Sequence, residues 1–380
     1  MKYQRKSKID KTFLVISDLH LGAGVNFNGQ KNFLEDFHHD RELVEFLDYY
    51  CTGIYKSREV ELIINGDFLD FLAVPFVPYF ADEFWSESAS LDKLKIILSA
   101  HQEVFSAMDR FLNQKNKKIV YIIGNHDGEL VFKKVRDYFI STLSEMAREH
   151  FSFYLDGEYK PVDGVIIKHG HEYEVAHNFD VEKSVIESQD GQKYFIPPWG
   201  SYYVTLVCNK FKAERDYINQ IHPNRTFFTY GLIFDTLFTV RFLFSTAYYF
   251  IMVRFLDFYH NNKSFKDIFK AIVRELQLFQ DIEALTESFF QKNKIKALIL
   301  GHTHTPFFRI YEDGSILANT GSWTKTLNLE FSSNRPEIQL TYCQIELCKK
   351  DKNAQSEFEH LDVSLNSWKG YCELPYIDFR

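Results

Sequence analysis

Five short polar clusters in this chain carry side chains that ligate metal ions, and each follows a run of β-forming residues. They are Ser17-Asp18-Leu19-His20, Asn65-Gly66-Asp67-Phe68-Leu69-Asp70, Gly124-Asn125-His126-Asp127, Lys168-His169-Gly170-His171 and Gly301-His302-Thr303-His304. In the last, two histidines one residue apart project to the same side of an extended backbone, a ready pair of imidazole ligands. Together the clusters supply carboxylate, amide and imidazole donors. Such mixed nitrogen and oxygen sets suit Mn, Fe, Zn, Co or Ni; calcium sites are all oxygen and structural zinc sites are rich in thiolate. One carboxylate, best assigned to Asp67, can bridge two ions. Two ions about 3.5–4 Å apart lower the pKa of a bridging water and clamp the oxygens of a phosphoryl group, so the chemistry is hydrolysis without a covalent enzyme intermediate.

The elements that must position these residues are legible around them. Phe13-Leu14-Val15-Ile16, Val60–Ile64, Lys118–Ile123, Gly164–Ile167 and Ala297–Leu300 are short apolar runs that predict strands, each ending at a cluster. Helical spacing of apolar residues predicts helices over 40–50, over 91–113 and from Leu130 to about Glu149. This alternation predicts an α/β layered domain, whose ligands sit in loops beyond the carboxyl ends of the strands. Residues 173–295 break the pattern. They read as mostly helical and aromatic, with helices over 201–212, 227–259 and 265–291. Strands resume at Ala297, at 307–311 and 315–319, and 338–347 closes a sheet. The expected organisation is a discontinuous catalytic domain, 1–172 with 296–380, interrupted by a cap or lid at 173–295.

Composition bounds the function classes. At 380 residues, 45% hydrophobic and with only 17 Gly and 9 Pro, the chain is globular and can bury a large core. A net charge of −8 gives no global attraction to nucleic acid, which argues against a nuclease. Cys51, Cys208, Cys343, Cys348 and Cys372 form an odd set without a Cys-x-x-Cys pair, as expected of reduced thiols in a cytoplasmic protein. Met1–Lys11 carries basic residues with no apolar run behind them, so no secretory signal is visible. His38, His39, His101, His150, His177, His222, His260 and His360 lie outside the clusters and read as ordinary surface or core histidines.

In order and spacing, the five clusters resemble the calcineurin-like metallophosphoesterase superfamily, whose pattern D-x-H, G-D-x-x-D, G-N-H-[DE], H and G-H-x-H is met at every position. The resemblance covers residues 13–171 and 297–325. It implies a four-layer α-β-β-α sandwich with a large helical insertion, and a dinuclear, metal-dependent phosphoester or pyrophosphate hydrolase that uses a metal-bridging hydroxide. It further implies that Asp18, His20 and His304 bind the first ion, that Asp67 bridges, and that Asn125, His169 and His302 bind the second. Mn is the leading expectation for both. His171, two residues from His169, is the alternative ligand in that block. By the same resemblance His126 faces substrate, to stabilise transition-state oxygens or protonate the leaving group, and Asp70 orients it. Asp127 ties down the loop.

Ser17–Gly22 and Gly66–Asp70 are also similar to the bacterial UDP-2,3-diacylglucosamine pyrophosphatases, which carry a helical insertion that shelters acyl chains. This implies a lipid-linked or nucleotide-sugar pyrophosphate as substrate. One departure stands out: their best-known branch has Arg after the third-block Asn, where this chain has His126. The alternatives are a phosphodiesterase or phosphatase acting on a soluble substrate or a protein, and a catalytically silent binding scaffold. Phe71 stands where protein phosphatases commonly have Arg, and a scaffold would be expected to have lost ligands. Phe227–Tyr259 is unusually apolar, yet only twelve uncharged residues separate Arg241 from Arg254, too few for a membrane span of about 20. It predicts either a buried cap helix or a surface that meets acyl chains at the inner face of a membrane.

Overall fold

Alternation along the first strand divides the interior. In the computed structural model, which describes residues 9–75, 82–174, 176–216, 218, 220–222, 224–261, 290, 295–325, 327–328, 339–349 and 358–370, β1 spans Lys11–Ile16. Leu14 and Ile16 point into a core shared with helices, while Phe13 and Val15 point the other way, against a second sheet. A period of two on a fully covered strand puts an apolar residue on both faces, which is why the run is continuous.

The first sheet joins β1 to β2 (Glu59–Asn65), β3 (Lys117–Ile122) and β4 (Phe151–Tyr154), all parallel. The second contains β5 (Glu158–Val162), β6 (Val165–Lys168), β7 (Ala297–Leu300), β8 (Phe307–Ile310) and β9 (Ile316–Asn319), in the order β8-β9-β7-β6-β5. β10 (Thr341–Lys349) and β11 (Phe358–Ser367) extend the first sheet antiparallel from β1. Phe13, Val15, Ile63, Ile122, Ile167 and Ile299 fill the space between the sheets. Burial of each aliphatic side chain there contributes roughly 1.5–3 kcal/mol.

Helices α1 (Asp40–Tyr49), α2 (Glu87–Ala100), α3 (Gln102–Leu112) and α4 (Lys133–Ser141) cover the outer face of the first sheet through Leu43, Phe46, Leu94, Met108 and Phe139. The protein thus has the expected α/β layered architecture of two facing sheets with helices outside. The predicted helix 91–113 is two helices, because His101 adopts φ −115°, ψ 35° between them and turns its ring to Asp40, Nδ1 to Oδ1 2.6 Å. The predicted helix from Leu130 to Glu149 likewise breaks, into α4 and α5 (Glu145–Glu149). Strands β4 and β5 are not expected from the sequence, where Ser152 interrupts the one and Lys160-Pro161 the other.

Between β6 and β7 the described residues are less uniformly helical than expected. Val185–Glu187 and Lys193–Phe195 pair as an antiparallel hairpin. The predicted helix 201–212 is α6 (Trp199–Tyr203), a π-helical stretch at Val204–Cys208 and α7 (Asn209–Lys212). The apolar stretch 227–259 forms α8 (Asn224–Phe234) and α9 (Thr236–Asn261), divided at Asp235, whose carboxylate pairs with Arg215 at 2.7 Å. One face of α9 is buried through Phe238, Phe242 and Tyr249; Leu237, Phe244, Tyr248 and Ile251 on the other are each at least 66% exposed. Among the described residues no helix is long and apolar enough to cross a membrane. The helix expected at 265–291 lies outside the described residues except for Phe290.

Candidate metal centre

β1, β2 and β3 are neighbours in one sheet, and β6 and β7 are neighbours in the other, so all five clusters meet at one edge of the sandwich. The chain turns sharply there. Asp18, His20, Asp67, His302 and His304 have φ between 50° and 68°; among described non-glycine residues only Asn28 and Leu340 share that left-handed backbone. Such residues cost of order 1–3 kcal/mol each and persist only where the surroundings over-determine them. Here the loops are knitted together: Asp18 N donates to Gly66 O (3.2 Å), His20 N to Asp67 O (2.9 Å) and Gly301 N to His169 O (2.9 Å).

Two groups of donors result. In the first, His20 Nε2 and His304 Nε2 stand 3.1 Å apart and His304 Nε2 stands 3.4 Å from Asp18 Oδ1. In the second, Asp67 Oδ2 lies 3.3 Å from His169 Nε2, with His302 completing the group. Asp67 Oδ2 also lies 4.0 Å from His20 Nε2, between the two. His169 is oriented by its other nitrogen, Nδ1, 2.7 Å from Asn65 O. Its neighbour His171 turns away to stack on Phe179 and joins neither group. Asn125 sits beside the second group with its Nδ2 3.4 Å from His177 Nδ1.

Asp70 serves two rings. Its Oδ2 is 3.1 Å from His20 Nδ1, and its Oδ1 is 3.1 Å from His126 Nδ1 while accepting from Leu72 N and Ala73 N. Asp127 accepts from Phe68 N, Gly124 N and the Tyr121 hydroxyl, so it braces two loops and faces away from the donors.

The field of the site favours positive charge. Burial alone would push the Asp67 carboxyl up, but the imidazoles of His169, His126 and His20 outweigh it and hold the group well below the usual carboxylate range. Burial pulls the imidazoles down; Asp67 and Asp18 more than compensate at His169, raised to about 10, and Asp70 and Asp67 at His126, raised to about 9. His171 and His177 go the other way: burial and neighbouring imidazoles pull them down, His177 to about 3.

Two glycines are required by this closeness. A Cβ at Gly66, already at φ 79°, would meet the His169 ring at 2.5 Å. At Gly124 it would strike the Asp67 carboxylate and come within 2.7 Å of the Asp67 nitrogen.

With the geometry in place, comparison with known proteins is informative. A model of the calcineurin-like phosphoesterase family matches residues 11–306. The chain belongs to the calcineurin-like phosphoesterase family. As a member it is a metal-dependent phosphoester hydrolase. No curated protein sequence matches it. Among solved structures it is similar to a dimetal phosphatase from Danio rerio, at 11% identity over 95% of this chain and 100% of that one, TM-score 0.38. It is also similar to a predicted phosphoesterase from Streptococcus pneumoniae, at 9% identity over 94% and 90%, TM-score 0.27.

The family implies divalent metal, and the donors fit it. Among the described residues Asn125 Oδ1 is buried without a hydrogen-bond partner, a costly state that coordination relieves, and His169 Nε2 faces the Asp67 carboxylate at 3.3 Å. His20 Nε2 and His304 Nε2 also converge, 3.1 Å apart, beside Asp18. Beside these groups the phosphoesterase has a cavity of ≈ 140 Å³. Its lining includes His20, His126 and His304 together with Val204, Cys208 and Ile218. α7 is pinned over it: Lys212 Nζ reaches Leu34 O (3.0 Å) and Asp36 Oδ2 (2.5 Å), and Asn209 Nδ2 reaches Leu72 O (2.8 Å).

The sequence pattern did not single out Glu174 in this phosphoesterase, and it left His177 among the ordinary histidines. Glu174 Oε2 lies 3.1 Å from His302 Nε2 and 3.6 Å from His177 Nε2, so the three form a further cluster beside the second donor group. The available signal was density: His169-Gly-His171-Glu-Tyr-Glu174-Val-Ala-His177 packs several ionisable residues into nine positions.

Proposed function

We propose that this phosphoesterase cleaves a phosphoester or pyrophosphate bond in a substrate whose leaving group carries an apolar portion, such as a lipid-linked or nucleotide-sugar pyrophosphate. Asp18, His20 and His304 would hold one divalent cation and Asn125, His169 and His302 a second, with Asp67 serving both. Mn fits this mixture of nitrogen and oxygen donors. When bound, the metals supply Lewis acidity toward the phosphoryl oxygens and an activated water.

The chain's own residues do the rest. His126 lines the cavity and is placed to hydrogen-bond a phosphoryl oxygen or deliver a proton to the leaving oxygen. Asp70 holds the ring by Nδ1, which leaves Nε2 for substrate. The described residues of 199–222 act as a cap: Asn209 and Lys212 fasten it to the segments that follow the first and second clusters, and Val204, Cys208 and Ile218 line the cavity.

The observation that carries the substrate assignment is the make-up of that cavity, whose lining joins the donors His20, His126 and His304 to the apolar Ala73, Val204 and Ile218. Its volume, ≈ 140 Å³, is close to that of a cavity that takes one benzene ring. It accommodates a phosphoryl group and the first atoms of a leaving group, so an acyl chain would lie outside it. The exposed apolar face of α9, with Leu237, Phe244, Tyr248 and Ile251, offers such a chain or the inner face of a membrane a surface in a cytoplasmic, peripherally bound enzyme.

The test compares kcat/KM for a diacylated nucleotide-sugar pyrophosphate, its deacylated form and a soluble aryl phosphate, all with Mn²⁺. The acylated substrate should lead by at least tenfold, and replacement of Phe244 and Ile251 on the exposed face of α9 by Ser should remove that lead. Equal rates on the acylated and deacylated forms would instead assign a soluble phosphoester. That second reading is favoured by the polar residues Asp36 and Gln220 on the cavity wall.

A further inference from the structure

The segment that follows His169 returns to the second donor group from behind. Gly170, at φ 108°, reverses the chain; a 3₁₀ turn over His171–Tyr173 and the bonds from His177 N and Asn178 N to Glu174 O (3.0 and 2.9 Å) then curl it under the site. The curl delivers two side chains. Glu174 Oε2 meets His302 Nε2 at 3.1 Å, and His177 Nδ1 meets Asn125 Nδ2 at 3.4 Å. α6 backs the curl: Gly200 N donates to Ala176 O (2.8 Å), and a Cβ at Gly200 would touch the His177 ring at 2.7 Å.

From these contacts we infer that Glu174 and His177 are positioning residues, which set the orientation of His302 and Asn125 for the second cation; the inference rests on the two-cation reading above. A neutral imidazole has one donor nitrogen and one acceptor nitrogen. If His302 donates from Nε2 to Glu174, its lone pair is on Nδ1, the other edge of the ring. An Asn side chain has two distinguishable ends. If Asn125 donates from Nδ2 to His177 Nδ1, its Oδ1 is turned away from His177, and that Oδ1 is the buried oxygen with no hydrogen-bond partner.

One proton arrangement satisfies every contact. His177 accepts on Nδ1, so its proton is on Nε2, which faces the same Glu174 oxygen at 3.6 Å. Both rings are then neutral, the form that ligates metal. Glu174 supplies the one negative charge, which both rings face. Carboxylates placed behind ligating histidines fix the ring and raise its basicity, and their loss typically weakens metal binding roughly 10- to 100-fold.

The experiment uses the full chain, stripped of metal and titrated with Co²⁺, with visible absorption and equilibrium dialysis as readouts. Wild type should take up two equivalents. Glu174→Ala should bind the first equivalent unchanged and the second roughly 10- to 100-fold more weakly, with an altered absorption band for that step. Glu174→Gln, whose amide oxygen still accepts from His302 Nε2, should recover much of the loss. His177→Ala should weaken the same step, and His177→Asn should recover part of it. Two equivalents bound with unchanged affinity by Glu174→Ala would overturn the inference. So would a third equivalent in wild type that Glu174→Ala abolishes, since the cluster would then itself be a cation site. If wild type binds a single equivalent, the two-cation reading fails instead. Should Glu174→Ala fail to fold, His177→Ala against His177→Asn gives the same comparison.

Discussion

His20 Nε2 and His304 Nε2 face each other at 3.1 Å although 284 positions separate them in the chain. With His20 Nδ1 donating to Asp70 Oδ2, His20 Nε2 carries a lone pair that faces His304, as a metal ligand would. The two rings come from different sheets, and the distance between them is therefore a readout of how those sheets are packed. Substitutions that disturb the charge, the packing or the supports of these loops should have separable effects.

Asp67 and His126 should separate metal binding from turnover. Asp67→Asn removes the charge that lies among His20, His126 and His169, and metal content per chain should fall together with activity. His126→Gln should leave metal content at the wild-type level and lower kcat by roughly 10²–10⁴. Metal analysis alongside steady-state rates distinguishes them; equal metal loss in both variants contradicts the roles given.

Gly124→Ala introduces a methyl that collides with the Asp67 carboxylate and backbone. Overpacking of this kind costs about 1–3 kcal/mol, and the displaced carboxylate should also weaken metal binding. Urea denaturation with and without Mn²⁺ should show a deficit in both conditions, larger with metal present. An unchanged midpoint in both would mean that the loop relaxes freely.

Lys93 and Glu129 form an ion pair at 2.8 Å with both side chains at 0% exposure, and Lys93 Nζ also lies 3.7 Å over the Phe84 ring. Lys93→Met should cost roughly 3–5 kcal/mol because Glu129 keeps a buried charge without its partner. Lys93→Met combined with Glu129→Leu should cost much less than the sum of the single changes. Additive losses in a double-mutant cycle would show that the two do not act as a pair.

His101 should make stability fall at alkaline pH. Burial pulls its imidazole down, but its hydrogen bond to the Asp40 carboxylate and the nearby Glu35 carboxylate outweigh that and raise it to about 9. A group raised in the folded state stabilises fully below its unfolded value near 6.5, and that contribution disappears as pH rises through about 9. The amount is roughly 3 kcal/mol at about 1.4 kcal/mol per tenfold change in proton affinity. Glu35 also accepts from Gly22 N and Gly24 N, so the loop after His20 should loosen in the same window. Urea midpoints from pH 6 to 9.5 should fall in wild type and stay flatter in His101→Asn; parallel curves would remove His101 as the cause.

The sequence by itself determined the strands that end at the clusters, the α/β alternation and the residues that come together as donors. Those features are local: donor type, a period of two or of 3.6, and the position of a polar cluster just past an apolar run. Where a long-range contact competes with local preference, the sequence reading was incomplete. His101 breaks a helix to reach Asp40, and Asp235 divides an apolar stretch with its carboxylate on Arg215. Tertiary structure alone decided which of His169 and His171 approaches Asp67, that Asp70 serves His20 as well as His126, and that Glu174 lies behind His302. Each of these depends on ring orientation and on the meeting of two sheets, which no spacing along one strand encodes.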